Sequence, residues 1–168
     1  GDMVCTTPVF AALKRAFPSC RLTVVCTALN RELLAGNSDV DEYIVWRSTK
    51  EAHTLLRRGN FDVGILVAPS PDSLATFLLA GVSWVIAPRM SGKTPFQTLS
   101  YRLLLFLCAV VPHTLGKYAP REYLHLLEPL GVTDDDTTKK LAYSRGAGEQ
   151  MAFFFAEQGI RGFPGAQI

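Results

Sequence analysis

Several features that would identify a protein class at once are scarce in this chain of 168 residues. Its 17 Lys and Arg nearly balance its 15 Asp and Glu, and the formal net charge of +2 is too small to argue for a nucleic-acid partner. No apolar run reaches the roughly 20 residues that a membrane-spanning helix needs, and no internal repeat or low-complexity tract is evident. With 48% hydrophobic and 19% charged residues, the composition predicts one globular domain.

Residues that form disulfides or bind metals are also few. The four cysteines lack CxxC spacing and no signal-peptide pattern is visible, which predicts buried thiols in a cytosolic protein rather than a disulfide framework. They are Cys5, Cys20, Cys26 and Cys108. His53, His113 and His125 show no metal-ligand spacing, so we expect no metal site built from them.

The first half of the chain alternates between strand and helix patterns. Short β-branched or apolar runs at 21–26, 42–46, 61–67 and 82–87 predict strands. Helical patterns at 29–35, 50–58 and 73–80 lie between them. This alternation predicts an α/β fold with a parallel sheet and helices on both faces.

The second half has a different pattern, in which residues 95–111, 118–130 and 147–158 are predicted to form helices. The apolar run from Leu103 to Pro112 then belongs to a buried helix. The alternative is a helix that lies in a membrane surface, because Tyr101 and Arg102 suit an interface. The acidic run Asp134-Asp135-Asp136 is interpreted as a solvated surface turn.

The chain begins with a glycine and a carboxylate, Gly1 and Asp2, ahead of a predicted helix. Thr7 is the expected N-cap and Pro8 the first helical residue, while Pro18 ends the helix. Asp2 then lies in a turn near the positive end of the helix dipole, which favours the ionised carboxylate. A strand-to-helix turn is where α/β folds place reacting groups, so Asp2 is the candidate catalytic base; the alternative is that it only satisfies turn amides.

Basic residues follow several of the predicted strands. Because ligands of open parallel sheets gather beyond the carboxyl ends of the strands, these cations predict an anion-binding rim facing Asp2. The candidates are Arg47, Lys50, Arg89, Lys93 and Arg102. The alternative for each is an exposed charge that serves solubility.

Residues 87–94 approach the phosphate-binding pattern GxxxxGK[ST] after a predicted strand. Ala87 stands where the first glycine belongs, and Pro88 removes an amide donor from the loop. A P-loop-like nucleotide-binding protein that uses Ala87 to Thr94 is therefore one alternative function, and a non-catalytic α/β binding domain is another.

The order of motifs resembles glycosyltransferase family 9, which includes the ADP-heptose:lipopolysaccharide heptosyltransferases. Members read GDxxxTxPxxxxLK after a strand, and here Gly1, Asp2, Thr6, Pro8, Leu13 and Lys14 stand in that pattern. The segments NSDVDEYIVW, LLRRGNFDVGILVAPSPDSLATFLLAGV and KYAPREYLHLLEPLGV are similar to later family segments. Two departures are Val85-Ile86-Ala87 in place of Arg-Ile-Gly and Tyr118 in place of a common His; they leave the acceptor open.

The resemblance implies a fold and an activity. Residues 1–168 would be the Rossmann-like, acceptor-binding N-terminal domain of a GT-B fold, truncated at both ends, with the first strand and the nucleotide-sugar domain missing and the fragment inactive alone. The family transfers a sugar with inversion, and Asp2 stands at the position of the presumed general base. Expected partners are a glycolipid or glycan acceptor, such as the lipopolysaccharide core, and a nucleotide-sugar donor, with ADP-heptose the family default, bound mainly by the missing domain.

The resemblance has further implications for the site and for localisation. Acceptor contacts are expected from Thr6, Arg47, Lys50, Arg89, Lys93 and Arg102. No other cofactor, no metal and no nucleic acid are expected. The protein is expected in the cytoplasm, with peripheral contact at the inner face of the cytoplasmic membrane.

Overall fold

The computed structural model describes residues 2–91 and 98–141, together with Phe154 and Glu157. Strands and helices alternate along most of this part of the chain. The helices are α1 (Asp2–Ala16), α2 (Ala28–Leu33), α3 (Thr49–Gly59), α4 (Pro71–Leu79), α5 (Leu99–Leu104) and α6 (Ala119–Leu124). The strands are β1 (Thr23–Cys26), β2 (Glu42–Val45), β3 (Val63–Ile65), β4 (Trp84–Met90) and β5 (Ala109–His113). Two 3₁₀ helices, Leu105–Leu107 and His125–Leu130, follow α5 and α6 directly.

The strands form two parallel sheets, so the predicted α/β class and parallel pairing are confirmed. β1 pairs with β2 from Thr23 opposite Glu42 to Cys26 opposite Val45. In the second sheet β4 lies between β3 and β5. Parallel neighbours require crossover connections, and the helices between the strands supply them.

Two buried clusters cover opposite faces of both sheets. Along β4, Ile86 packs into one cluster while Val85 and Ala87 pack into the other, as the alternation of side chains along a strand requires. Cluster 1 contains the buried side chains of α1 and α6, among them Phe10 and Leu124. Cluster 2 contains those of α3, α4 and α5. Helices therefore cover both faces, as the sequence predicts.

The start of α1 is a correction to the sequence prediction. The helix begins by Asp2 rather than at Pro8, and Pro8 lies inside it. Proline removes the N–H that would bond the carbonyl four residues earlier, which is that of Val4. The Thr7 hydroxyl donates to this same carbonyl at 2.9 Å, so Thr7 compensates for Pro8 within the helix instead of capping its end.

The predicted helix over residues 95–111 is also wrong in its second part. Helical structure ends at Leu107, and residues 109–113 form β5, paired in parallel with β4. Val110 and Val111 are β-branched and favour a strand, but a short apolar run looks the same in a buried helix and a buried strand. The predicted helix over 118–130 is present as α6 and the 3₁₀ helix after it. Of the predicted helix over 147–158, only Phe154 and Glu157 are described, both helical; the rest lies outside the described residues.

The acidic run belongs to a segment that passes along α1 and is bonded to it. The segment 132–141, called the strap here, has no regular secondary structure, but its side chains bond to other elements. Asp134 and Asp136 pair with Arg15 at N···O distances of 2.6 and 3.2 Å, and the Lys140 backbone N–H donates to the Thr7 hydroxyl at 3.1 Å. The predicted surface turn is present, with Asp135 and Asp136 exposed, but Asp134 and Asp136 also have in Arg15 a specific partner that the local sequence does not reveal.

Candidate functional site

The amino end of α1 lies at the edge of the sheets where the strands end. At the other end of α1, the Lys14 ammonium donates to the carbonyl of Cys20 at 2.7 Å and pairs with Asp41; these two partners precede β1 and β2. α1 therefore runs antiparallel to the strands. Its first turn meets the carboxyl ends of parallel strands, which is where open α/β sheets bind ligands.

Asp2 is an exposed carboxylate in that first turn. The unpaired N–H groups of a helix start carry partial positive charge, and Asp2 lies among them in the first turn of α1. No ion pair joins Asp2 to a cation within the described part of the chain. An exposed carboxylate without an ion-pair partner is free to accept a proton from a bound molecule.

Thr6 lies one helical turn beyond Asp2 and is only 3% exposed. Its hydroxyl donates to the Asp2 carbonyl at 2.9 Å. The hydroxyl hydrogen is therefore engaged inside α1, where it holds the backbone of the turn that carries Asp2. Direct contact of Thr6 with an acceptor stays a prediction.

A buried aromatic pair includes Tyr123, whose pKa responds to the charge of Asp2, and the sequence analysis did not assign this pair to the site. His113 ends β5 and stacks on Tyr123 of α6, with ring centroids 5.7 Å apart and an interplanar angle of 19°. Burial raises the pKa of Tyr123, and the nearby Asp2 carboxylate raises it further. His113 follows a run of apolar residues. A histidine at the end of such a run is the sequence signal that could have identified it as a candidate site residue.

Burial disfavours the charged form of the His113 imidazole. Its side chain is 7% exposed, and Nδ1 is buried without a hydrogen-bond partner among the described residues. Burial lowers the pKa of His113, and the charge of the neighbouring Glu122 opposes this only in part. Glu122 is itself buried and accepts the Thr114 backbone N–H at 2.7 Å. This group connects the end of β5 to α6 and holds Tyr123 in place.

Tyr118 and Lys139 form a second polar contact in the neighbourhood of α1. The Lys139 ammonium donates to the Tyr118 hydroxyl at 3.0 Å and lies 5.1 Å from the ring centroid. The ammonium lowers the pKa of Tyr118, and the tyrosine raises that of Lys139. Both shifts also respond to the Cys5 thiol of α1, so the strap brings a cation close to the first two turns of that helix.

Only some of the cations that were predicted to form the anion-binding rim lie in loops. Arg47 follows β2 and is exposed, with Glu51 at 3.9 Å, and Lys50 is exposed in the first turn of α3. Arg102 is exposed in α5, and Lys93 lies outside the described residues. Arg89 is an exposed residue of β4 itself, opposite Pro112, so its placement in a loop is wrong because β4 continues to Met90. Acceptor contacts of all these cations remain predictions.

The phosphate-loop alternative conflicts with β4. Ala87, Pro88 and Arg89 are paired with residues 110–112 of β5, and the Pro88 carbonyl accepts the Tyr101 hydroxyl at 2.8 Å. A phosphate-binding loop needs free backbone N–H groups that converge on the phosphates. An extended strand does not provide them, so residues 87–90 do not form such a loop. Residues 92–94 lie outside the described part of the chain.

Hydroxyl groups at the same edge serve the helices that begin there. Each accepts the backbone N–H three residues later, which satisfies one unpaired donor of the helix start. The capping residues are Thr27 for α2, Ser48 for α3, Ser70 for α4 and Thr98 for α5. Two of these caps, Ser48 and Ser70, lie in the stretches that follow β2 and β3.

A cavity of about 230 Å³ lies apart from this edge. Its lining includes Arg121, His125, Glu128 and Asp134. Because Asp134 pairs with Arg15 in the last turn of α1, the cavity is at the opposite end of that helix from Asp2. Within residues 2–91 and 98–141, no group of three or more His, Cys, Asp and Glu side chains is arranged to hold a metal ion.

The structure thus defines an α/β domain with parallel strands and an exposed carboxylate where a ligand is expected to bind. Solved structures with this fold include the glycosyl transferase family 9 protein from Veillonella parvula DSM 2008, which is 21% identical over 95% of this chain and 47% of that one, with a TM-score of 0.67. Another is the E. coli ADP-heptose lps heptosyltransferase II, 19% identical over 92% of this chain and 46% of that one, with a TM-score of 0.62.

These similarities establish the fold and agree with the resemblance seen in the sequence. The chain spans about half the length of both solved structures. No family model matches the sequence, and no curated protein matches it.

Proposed function

We propose that this chain is the acceptor-binding half of an inverting glycosyltransferase in which Asp2 is the general base. The observation that carries the proposal is the exposed Asp2 carboxylate at the ligand-binding edge of the sheets, in a chain with the fold of a family 9 glycosyl transferase structure. Inversion by direct displacement requires the acceptor hydroxyl to lose its proton as the new glycosidic bond forms. A positioned carboxylate that accepts this proton contributes about 10²- to 10⁴-fold in rate.

The surroundings of Asp2 suit such a role. The carboxylate lies at the positive end of the α1 dipole, and the Thr6 hydroxyl fixes the backbone that carries it. Tyr123, with its pKa raised by burial and by Asp2, stays a neutral phenol near the carboxylate. It can donate a hydrogen bond to a bound sugar without competing for the proton.

The donor and the acceptor are proposed as classes of molecule. We propose a nucleotide-sugar donor, with ADP-heptose suggested by the name of the E. coli structure, bound mainly by residues beyond this chain. We propose as acceptor an anionic glycan such as a lipopolysaccharide core. The exposed guanidinium groups of Arg47, Arg89 and Arg102 suit it because arginine binds carboxylates and phosphates through two parallel hydrogen bonds.

The test is Asp2→Asn in the longer enzyme that contains both halves, assayed with an ADP-sugar and a deacylated core oligosaccharide. We expect kcat to fall about 10²- to 10⁴-fold, with KM for the acceptor changed much less. Asp72→Asn is the matched control, because Asp72 is also an exposed aspartate in the first turn of a helix, α4. Asp72→Asn should retain near-normal turnover.

Two outcomes would exclude the base assignment. One is normal turnover in Asp2→Asn, and the other is an equal loss in both variants, which would indicate a general effect on helix starts. The remaining alternative, a non-catalytic α/β binding domain, predicts tight binding of a small ligand by residues 1–168 alone and no transfer by the longer protein.

We also propose that the protein works in the cytoplasm at the inner face of the membrane. None of the described helices is long and apolar enough to cross a membrane, but α5 and the 3₁₀ helix after it expose a contiguous apolar surface. Its side chains are Leu99, Leu103, Phe106 and Leu107, exposed by 73%, 58%, 84% and 68%. This set, called the α5 patch here, lies next to the exposed Arg102, a combination that favours an anionic lipid surface.

A further inference from the structure

The strand β5 adds one more loop to the carboxyl edge of the sheets. Because β5 pairs in parallel with β4, residues 114–118, which follow it, lie at the edge where open parallel sheets bind ligands. This loop contains Lys117 and Tyr118, both exposed. Neither residue is among the predicted acceptor contacts, since the sequence pattern favours a helix where β5 is found.

Two features fix the shape of the loop. Gly116 has a φ of +84°, a left-handed conformation that glycine adopts without strain. The Thr114 backbone N–H donates to the buried Glu122 carboxylate at 2.7 Å, which ties the loop to α6. The Lys117 ammonium lies 4.0 Å from the same carboxylate, so this contact is loose and leaves Lys117 able to meet a ligand.

The strap places a second ammonium against this loop. The Lys139 Nζ atom donates to the Tyr118 hydroxyl at 3.0 Å and lies 5.1 Å from the centroid of its ring. The next residue, Lys140, holds the backbone here, because its N–H donates to Thr7 at 3.1 Å and its ammonium pairs with Asp39 at 3.0 Å. Lys139 therefore has a defined position although its side chain is exposed.

The charge of Lys139 is available to a ligand. Within residues 2–91 and 98–141, no carboxylate pairs with it. An ammonium has three N–H donors, and the bond to Tyr118 uses one of them. That bond also raises the pKa of Lys139, which keeps the group positively charged.

The loop and the strap meet the part of α1 that carries Asp2. Thr7, to which the strap is bonded, lies in the first two turns of that helix. Cys5 lies there too and is close enough to Tyr118 and Lys139 to interact electrostatically with both. Because residues three apart share one face of a helix, Cys5 and Asp2 are neighbours on this surface.

We propose that Lys117 and Lys139 form an anion-binding subsite for the acceptor near the first turn of α1, with Tyr118 positioning the Lys139 ammonium. The group bound is a phosphate or carboxylate carried by a sugar of the acceptor, since both accept charge-assisted hydrogen bonds from ammonium groups. Holding this anion places a hydroxyl of the same molecule within reach of Asp2. The inference rests on the proposed function and adds to it the residues that select a charged acceptor.

The first test measures binding without transfer. A fluorescently labelled, deacylated core oligosaccharide is titrated into the longer enzyme in the absence of donor, and its anisotropy gives Kd. We expect Lys139→Gln to raise Kd by about three- to tenfold, the loss of one charge-assisted contact, and Lys117→Gln with Lys139→Gln to raise it further. Lys139→Arg should restore most of the affinity because it keeps the charge.

The matched control is Arg58→Gln, which removes the same charge from an exposed position in the last turn of α3. Since α3 connects the end of β2 to the start of β3, this position lies at the opposite edge of the sheets. Arg58→Gln should bind the oligosaccharide like the parent enzyme.

The second test separates the sources of the anion. The titrations are repeated with oligosaccharide treated with phosphatase, which removes phosphates and leaves carboxylates. If the difference between the parent and Lys139→Gln disappears, the bound group is a phosphate; if it persists, the group is a carboxylate. In turnover, Lys139→Gln should raise KM for the oligosaccharide while kcat and the KM for the ADP-sugar change little.

The outcomes that overturn the proposal differ from those that exclude Asp2 as the base. An oligosaccharide that does not bind the parent, an unchanged Kd in Lys139→Gln, an equal rise in Arg58→Gln, or a raised KM for the ADP-sugar instead of the acceptor would each overturn the subsite. Normal turnover in Asp2→Asn excludes the base and leaves the binding results standing.

Discussion

His113 shows how one buried residue links the fold to the candidate site. It ends β5, stacks on Tyr123 and is held neutral by burial, while Tyr123 in turn lies near Asp2. The charged and titratable groups around it are Glu122, Tyr123 and His125. Protonating this imidazole inside the protein opposes folding, because its Nδ1 atom has no partner among the described residues.

This position predicts a dependence of stability on pH. The pKa of His113 is lower in the folded than in the unfolded chain, so the unfolded chain binds more protons as the pH falls below its own pKa of about 6.5. The contribution of His113 to stability is complete above that pH and is lost as the pH falls through the folded pKa. His113→Phe, which keeps an aromatic ring against Tyr123, should flatten the fall in unfolding free energy between pH 7 and 5. The maximum change in slope is about 1.4 kcal/mol per pH unit.

Urea unfolding at several pH values measures this slope. The control is His53→Gln, since His53 is half-buried in α3 and its Nε2 atom lies 3.2 Å from the Leu79 carbonyl. The control should keep the slope of the parent chain. If His113→Phe also keeps it, His113 is not the group that titrates.

Helix α1 is stabilised by both local and long-range hydrogen bonds. Pro8 leaves the Val4 carbonyl without a backbone donor, and the Thr7 hydroxyl both donates to that carbonyl and accepts the Lys140 N–H. Lys140 is also held by Asp39 at 3.0 Å and by the Asn37 side chain. One buried hydroxyl thus supports the proline-containing turn and attaches the strap to α1.

Replacing that hydroxyl should be costly. Thr7→Val preserves the shape of a fully buried side chain but leaves the Val4 carbonyl and the Lys140 N–H without this partner. We expect the free energy of unfolding to fall by about 1–3 kcal/mol, the cost of leaving a buried polar group unpaired. Thr54→Val is the matched control, because Thr54 is exposed in α3 and makes the same kind of bond, to the Lys50 carbonyl at 2.9 Å. Urea unfolding of both variants that shows equal losses would contradict the account.

Strand β5 shows why an element of the second half was misassigned. Val110 and Val111 favour a strand, but the apolar residues before them continue a helix-like pattern, and the 3₁₀ helix Leu105–Leu107 ends only two residues before β5. What makes residues 109–113 a strand is the exposed edge of β4, which they pair over five residues. Because of the same pairing, Arg89 lies in β4 and not in the predicted loop.

At the scale of the whole molecule, the α5 patch differs from the core because its apolar side chains are exposed. Leu105 is 3% exposed and packs into cluster 2, whereas Leu107, two residues later, is 68% exposed. The interpretation of residues 103–112 as one buried helix is therefore wrong, since several of its apolar side chains face outward. Burial of such side chains in a lipid surface stabilises binding by about 1.5–3 kcal/mol each when complete.

The α5 patch predicts selective loss of membrane binding. Leu107→Ser should weaken co-sedimentation of the protein with vesicles of phosphatidylethanolamine and phosphatidylglycerol by about tenfold. The control is Leu29→Ser in α2, where the leucine is 75% exposed outside the patch, and it should bind like the parent chain. Absence of vesicle binding by the parent, or equal loss in both variants, would contradict peripheral contact through this surface.

Much of this molecule follows from the sequence because the determining forces are local. The β-branched runs and the alternation of strand and helix patterns predict the α/β class and the parallel pairing. The expectation that Asp2 lies near the amino end of a helix follows in the same way. Its catalytic role remains a prediction that turnover must test.

Tertiary structure alone decided the rest, because those features depend on partners distant in the chain. Thr7 meets Lys140, Arg15 meets Asp134, and His113 meets Tyr123 only after α1, the strap and α6 have packed together. Hydrogen-bond and burial energies act through space, so none of these contacts is visible in any local pattern of residues.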